Sequence, residues 1–347
     1  MSPRLLTIFL FSLGFGTMLT FASSHWMLAW MGLEINTMAI IPLMAQNHHP
    51  RAMEAATKYF LIQATAAATL LFASIINAWL FGHWEIKSMD HPLSITIITL
   101  ALALKLGLAP VHAWLPDIFQ GLNMSTALLL ATWQKLAPFV LLIQIQPTNH
   151  YLLIFLGLSS ILIGGWGGLN QTQLRKILAY SSIAHLGWMV LIIQFAPSIS
   201  LLTLLVYFIM TYSIFTLFKL NNSTNINSLS TSWVLSPIMS ALAPLILLSL
   251  GGLPPLLGFL PKWMILQELA NQSMAMMATL AALSALLSLY FYLRLSYALT
   301  LTISPNNMTG TLPWRLTHVI ITMPLAISCS ITVCLLPLAP SMLTILL

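Results

Sequence analysis

The segment "GLAPVHAWLPD" (residues 107–117) lies inside one of the most apolar regions of the chain, and "GLPPLLGFLPK" (252–262) repeats its design in the second half. Gly107 aligns with Gly252, Leu108 with Leu253, Pro110 with Pro255, and Leu115-Pro116 with Leu260-Pro261. Ala113 opposite Gly258 and Trp114 opposite Phe259 are near matches. Each segment sits in an apolar run, 93–120 and 237–267, longer than one membrane crossing requires. Proline inside a helix removes one backbone hydrogen bond and clashes with the carbonyl four residues back. In hydrocarbon, the freed groups persist only where protein or a water-filled cavity satisfies them. Pro110, Pro254 and Pro255 therefore predict two broken helices whose loose ends face an interior polar path. A packing kink explains either break alone; two breaks in matching positions favour transport.

The composition agrees. Hydrophobic residues fill 59% of 347 positions and charged residues 5%, where a soluble domain carries about 25% charged. Strict apolar/polar alternation, the mark of a membrane β-barrel, is absent. The expected class is an all-α polytopic membrane protein with about eleven spans. They run 5–21, 26–44, 55–81, 93–120, 125–144, 151–168, 174–195, 199–219, 237–267, 274–300 and 317–346. Five spans separate the two motifs, so the motifs cross in opposite directions. The expectation is one membrane domain built from two inverted five-helix repeats, 1–147 and 148–302, with a trailing helix in 303–347. The fourth and ninth spans are the discontinuous ones. No cleavable signal is expected at the N-terminus, because its apolar stretch is long enough to remain as a span.

Loop charge sets orientation. Arg4, Arg51, Lys58, Arg175, Lys176, Lys219, Arg294 and Arg315 fall on the N-terminal side, and only Lys87, beside Glu85 and Asp90, falls clearly on the other. By the positive-inside rule the N-terminus faces the compartment of synthesis.

Four ionisable residues lie well inside spans: Glu34, Lys105, Lys135 and Lys262. Each costs on the order of 2.5–3.5 kcal/mol at a helix centre on insertion scales, so a purely anchoring span would not be expected to carry them. Burial favours a neutral amine and a nearby carboxylate favours the ammonium, so re-pairing the two loads or unloads a proton. Glu34 with Lys105 is the candidate modulating pair, Lys135 the next relay point, and Lys262 the counterpart in the second half. A structural ion pair at Glu34 and a snorkelling amine at Lys262 are the bland readings. His112, seven positions after Lys105, and His185 in "YSSIAHLGW" are either further proton carriers or packing histidines. Asp117 and Glu268 lie near span ends.

No dinucleotide or phosphate-loop signature occurs, and no Cys/His cluster has metal-site spacing. Cys329 and Cys334, in the last apolar segment, suggest neither a disulfide framework nor a metal site. The formal charge of +6 lies mostly in loops and forms no basic patch, so nucleic-acid binding is unsupported. The energy for transport must come from outside this polypeptide.

"HWMLAWMGLEINTMAIIPL", "GLAPVHAWLPD", "QKLAP", "RKILAYSSIAHLGW" and "GGLPPLLGFLPKW", in this order, resemble the family of animal mitochondrial NADH–ubiquinone oxidoreductase chain 2, antiporter-like membrane-arm subunits of respiratory complex I. The resemblance runs through essentially the whole chain. The N-terminus resembles the compact animal form, without three leading helices of bacterial relatives. By motif position, Glu34 matches the family's membrane glutamate, Lys105 its partner lysine, Lys135 the central relay residue, and Lys262 the lysine on the second broken helix. The implied activity is proton translocation across the mitochondrial inner membrane, driven by NADH-to-ubiquinone electron transfer in other subunits. The N-terminus would face the matrix and the C-terminus the intermembrane space. The resemblance implies no cofactor in this chain, with flavin and iron–sulfur clusters in partner subunits. The implied partners are the other membrane-arm and accessory subunits, and phospholipid including cardiolipin. One departure stands out: the second half offers only His185 where Glu34 would have an equivalent. A cation/proton antiporter subunit and a structural spacer are the competing readings.

Overall fold

A computed structural model describes residues 3–46, 49–89, 91–145, 150–234, 237–302, 323–339 and 341. These residues are helical with short connections, and contain no strand. The chain divides into two compact units, Met1–Ser160 and Ile161–Leu347. The first holds α1 (Pro3–Ala22), α2 (Trp26–Met44), α3 (Pro50–Phe81), α4 (Pro92–Leu106), α5 (Trp114–Gly121), α6 (Met124–Ala131), α7 (Trp133–Ile145) and the start of α8 (His150–Gly168). The second holds α9 (Leu174–Ile192), α10 (Pro197–Leu220), α11 (Ile226–Ser230), α12 (Pro237–Gly251), α13 (Phe259–Asn271), α14 (Ala275–Leu301) and α15 (Met323–Cys334).

Helix starts follow local chemistry. Proline opens α3, α4 and α10, where its missing N–H has no intrahelical partner to lose. His49 and His91 cap α3 and α4 by accepting from backbone N–H groups through Nδ1. Among the described helices, seven are long and apolar enough to cross a membrane, and α4, α12 and α15 are shorter apolar helices. Outward-facing Trp79, Phe11 and Trp166 are 86%, 76% and 75% exposed, a surface made for hydrocarbon. Where α1 crosses α2, a Cβ on Gly16 would stand 2.9 Å from the Gly32 carbonyl oxygen, and one on Gly32 equally close to that of Gly16. Small residues at a membrane-helix crossing let the backbones approach this closely.

The fourth and ninth expected spans are broken, each over seven residues: 107–113 between α4 and α5, and 252–258 between α12 and α13. The stop is set by glycine rather than by the prolines. Gly107 and Gly252 take left-handed φ of 77° and 80°. Gly107 and Leu108 both donate to the Ala103 carbonyl, at 2.9 Å, and Gly252 and Leu253 both donate to that of Leu248, at 3.1 and 3.4 Å. This is the glycine C-cap, repeated in both units, and it satisfies carbonyls that a bare helix end would orphan. Pro110, Pro254 and Pro255 lie inside the breaks and keep the chain from re-entering the helix at once.

A second repeated feature is made by backbone alone. Before α2, Trp26 N–H donates to the Trp84 carbonyl, and Ile86 N–H to that of Ser24, at 3.0 and 2.9 Å. Before α9, Leu174 donates to Thr224 and Ile226 to Thr172, at 3.0 and 3.2 Å. Each unit thus ties the entry of its second long helix to the segment following its third.

The expected fifth span is also interrupted. The Thr132 hydroxyl bonds back to the Leu128 carbonyl at 2.8 Å, separating α6 from α7. Such back-bonding bends helices. Of the expected trailing helix, 323–334 is observed as α15. Its ends, 317–322, 340 and 342–346, lie outside the described residues, as do Asp90 and Arg315. Arg294, expected in a loop, lies within α14 and donates to the carbonyls of Leu169 and Gln171 beyond α8.

Candidate functional site

Lys105 stands in the last turn of α4, two residues before the left-handed glycine, and is 6% exposed. Its Nζ has no hydrogen-bond partner among the described residues. The carbonyl end of α4 is the favourable end of a helix for a cation. Lys135, 3% exposed, follows the Thr132 interruption on α7. Both lysines line one enclosed cavity of about 10 Å³, room for about a single water. Asn36, Tyr59, Gln63 and Gln134 complete its polar wall. Gln134 Nε2 donates to the Asn36 carbonyl at 3.1 Å, linking α7 to α2, and the Tyr59 hydroxyl reaches Gln134 Oε1 at 3.5 Å. Asn36 Oδ1, like Lys105 Nζ, is buried without a partner among the described residues. Two orphaned polar atoms beside a water-sized void mark a place for hydration, since an unmade buried hydrogen bond costs about 1–3 kcal/mol.

Glu34 occupies a different position from the expected ion pair. It is half-buried and opens on an apolar groove between α1 and α2, lined by Phe9, Ser12, Trp30 and Met38. No direct contact joins it to Lys105, although its charge is the one whose field reaches that amine. Thr37 connects the two sides: it lines the lysine cavity and donates to the Glu34 carbonyl and to Oε2, at 2.8 and 3.2 Å. The difference is geometric, because residues two or three apart on a helix point in different directions.

The break also moves His112. It sits in the turn between α4 and α5, half-exposed, with Nδ1 3.2 Å from the Pro110 carbonyl. The two-turn register that would bring it over Lys105 in a continuous helix is therefore lost. Trp114 restarts the helix and donates from Nε1 to the Leu104 carbonyl at 3.2 Å, fastening the two pieces together.

In the second unit, Lys262 lies in the first turn of α13, after its break, whereas Lys105 lies before its own. Lys262 reaches back and donates to the Gly251 carbonyl at 2.7 Å. A Cβ at Gly252 would stand 2.9 Å from this amine. The two lysines thus occupy opposite sides of corresponding breaks. His185 on α9 packs its ring against Tyr207 on α10, with centroids 5.4 Å apart. No cluster of three or more potential metal ligands occurs among the described residues.

The sequence reading passed over Asn36, Thr37, Tyr59, Gln63 and Gln134. Their signal was present: each is a polar residue inside an apolar span, and Gln134 and Asn36 flank the chosen charges.

Comparison with known proteins places this arrangement. Residues 23–288 match the family described as NADH:quinone oxidoreductase/Mrp antiporter, TM, and residues 289–343 match NADH dehydrogenase subunit 2 C-terminus. NADH-ubiquinone oxidoreductase chain 2 of Salmo salar is 67% identical over 347 residues, covering 100% of this chain and 99% of the relative. That of Oncorhynchus mykiss is also 67% identical, covering 98% of each. Among solved structures, a chain of respiratory complex I from Thermus thermophilus with bound aureothin superposes with a TM-score of 0.81 at 25% identity, covering 96% of this chain and 78% of that one. A chain of the Mrp complex from Dietzia superposes with a TM-score of 0.76 at 16% identity, covering 82% of this chain and 58% of that one, and so shares the fold. The broken helices and lysine-lined polar cavity thus belong to a member of the NADH-ubiquinone oxidoreductase chain 2 family.

Proposed function

We propose that this chain is a proton-translocating membrane-arm subunit of respiratory complex I, driven by NADH-to-quinone electron transfer in other subunits. The observation that carries the reading is the sharing of one small polar cavity by Lys105 and Lys135, both more than nine-tenths buried inside an apolar helix bundle. Two amines with no acidic side chain lining the same cavity repel when both are charged, so a proton gained by one favours its release from the other. A single water beside Lys105 Nζ and Asn36 Oδ1 bridges such a transfer. Glu34 acts from the side, through its field and through Thr37, so a charge arriving in the outer groove biases which lysine holds the proton. Lys262 serves the second half at a different point of its break.

The same reading takes the chain as eleven spans in two inverted five-helix repeats, 1–147 and 148–302, followed by a trailing helix. The matched glycine caps and the matched loop bridges support it. It sets the chain in the mitochondrial inner membrane, N-terminus in the matrix, among other complex I subunits and phospholipid including cardiolipin. Flavin and iron–sulfur clusters belong to those partners.

The test is Lys105→Met and Lys135→Met in assembled complex. Coupled proton transport should fall while the complex still assembles. A normal proton-to-electron ratio in assembled Lys105→Met rejects the relay and favours a spacer. Retained pumping by the isolated chain under an ion gradient, without a redox partner, favours an antiporter.

A further inference from the structure

We propose that a charged cleft between the start of α3 and the end of α5 is the aqueous mouth through which protons reach the Lys105 cavity, with Tyr59 as the positioning residue between them; this rests on the relay reading above. The cleft is lined by Arg51, Glu54, Lys58, Asp117 and Gln120, with Ala55 and Gly121 at its floor, and has a volume of about 270 Å³. That is room for several waters, against about one in the inner cavity. Gly121 makes the approach of the two helices possible, since a Cβ there would stand 2.5 Å from the Arg51 carbonyl oxygen.

The charges face one another across or along the cleft. Glu54 pairs with Lys58 at 2.6 Å, and the field of Asp117 on α5 reaches Lys58 on α3. A mixed cluster of this kind holds water and offers carboxylates as proton-collecting acceptors, without the net charge that would fix a counter-ion. It lies at the end of α3 and α5 that the positive-inside rule assigns to the N-terminal side.

Cleft and cavity are separated by about one helical turn. On α3, Ala55 lines the cleft and Tyr59, four residues on, lines the cavity; on α5, Asp117 lines the cleft and Trp114, three residues earlier, lines the cavity. The rise across that step is about 4.5–6 Å. The partition is the pair of rings themselves: Tyr59 and Trp114 lie with centroids 6.1 Å apart. Trp114 presents no free donor, because its Nε1–H is spent on the Leu104 carbonyl. Tyr59 does carry a hydroxyl through the partition, 2% exposed and directed to Gln134 Oε1 beside Lys135. Of the two aromatic residues, Tyr59 is therefore the one able to pass a hydrogen bond from cleft water to the lysine cavity. Lys105, whose amine is buried and unpartnered there, is the terminus such a path supplies.

The experiment plugs the mouth reversibly. Complex carrying Asp117→Cys is reconstituted in oriented vesicles and treated from the N-terminal side with a charged, impermeant methanethiosulfonate. The parent complex, with its own cysteines, and Asn170→Cys, on an exposed loop of the second unit, are treated alike. Proton translocation per electron should fall several-fold on modification of Asp117→Cys and recover when the adduct is reduced, with neither control changing. Tyr59→Phe should also lower that ratio. Full modification of Asp117→Cys without effect on the ratio overturns the mouth, as does modification only from the opposite side. If Lys105→Met lowers the ratio while the plugged cleft does not, the relay survives and this mouth fails. If neither lowers it, both fail together.

Discussion

Lys262 donates from Nζ to the carbonyl oxygen of Gly251 at 2.7 Å, so the first turn after the second break caps the last carbonyl before it. A proton carrier and a structural cap are here the same group. Deprotonated, the amine keeps donors for the carbonyl but loses its attraction to the negative end of α12. Proton occupancy and the closure of the break are thereby linked.

Lys262→Met should leave the Gly251 carbonyl without its side-chain donor, costing about 1–3 kcal/mol. Lys262→Arg, which keeps both charge and donors, should cost less. The thermal inactivation midpoint of assembled complex measures both, and equal midpoints for Met and the parent would show that the cap contributes nothing.

Gly107→Ala and Gly252→Ala should each destabilise the fold, because a Cβ in the left-handed region costs about 1–2 kcal/mol. Crowding adds to this: the new methyl would stand 2.7 Å from Leu115 Cδ1 at Gly107 and 2.9 Å from Lys262 Nζ at Gly252. Since Gly252 and Lys262 share one contact, Gly252→Ala combined with Lys262→Met should cost less than the two separately. Additive losses in assembly yield or midpoint would break that link.

Thr37→Val removes the hydroxyl that reaches Glu34 Oε2 at 3.2 Å while nearly preserving shape. Proton translocation per electron should fall several-fold, and Thr37→Ser, which restores the hydroxyl, should recover most of it. Equal ratios in the two variants would remove Thr37 from the path between Glu34 and the lysines.

Some of this was readable from residue types and some was not. Lys105 and Lys135 announced themselves because a charge in hydrocarbon has few explanations. The breaks were legible through proline, yet each helix stops three residues before Pro110 or Pro255, at a glycine whose left-handed φ does the work. That cap was in the sequence, in the aligned Gly107 and Gly252, but the prolines drew the inference. Neutral Asn36, Gln63 and Gln134 gave weaker signals, since an amide in a membrane helix is far cheaper than a charge. The Glu34–Lys105 contact failed for a reason no spacing rule holds. Which neighbour a side chain meets depends on how α2 is rotated against α1 and α4, and that is settled by glycine crossings and cross-helix bonds. The loop bridges at 24–26 and 172–174 were invisible, because backbone groups make them and any residue type can supply those.

The 32 residues of α3 make a rod of about 48 Å, some 18 Å longer than a typical hydrocarbon core. Its apolar run begins only after Lys58, so the first two turns, with Arg51 and Glu54, stand clear of the acyl chains like a mast above deck. A thicker bilayer would raise its waterline along this mast and drain the space around Glu54 and Lys58. Lipid chain length thereby becomes a control on how readily the protein draws protons from solution.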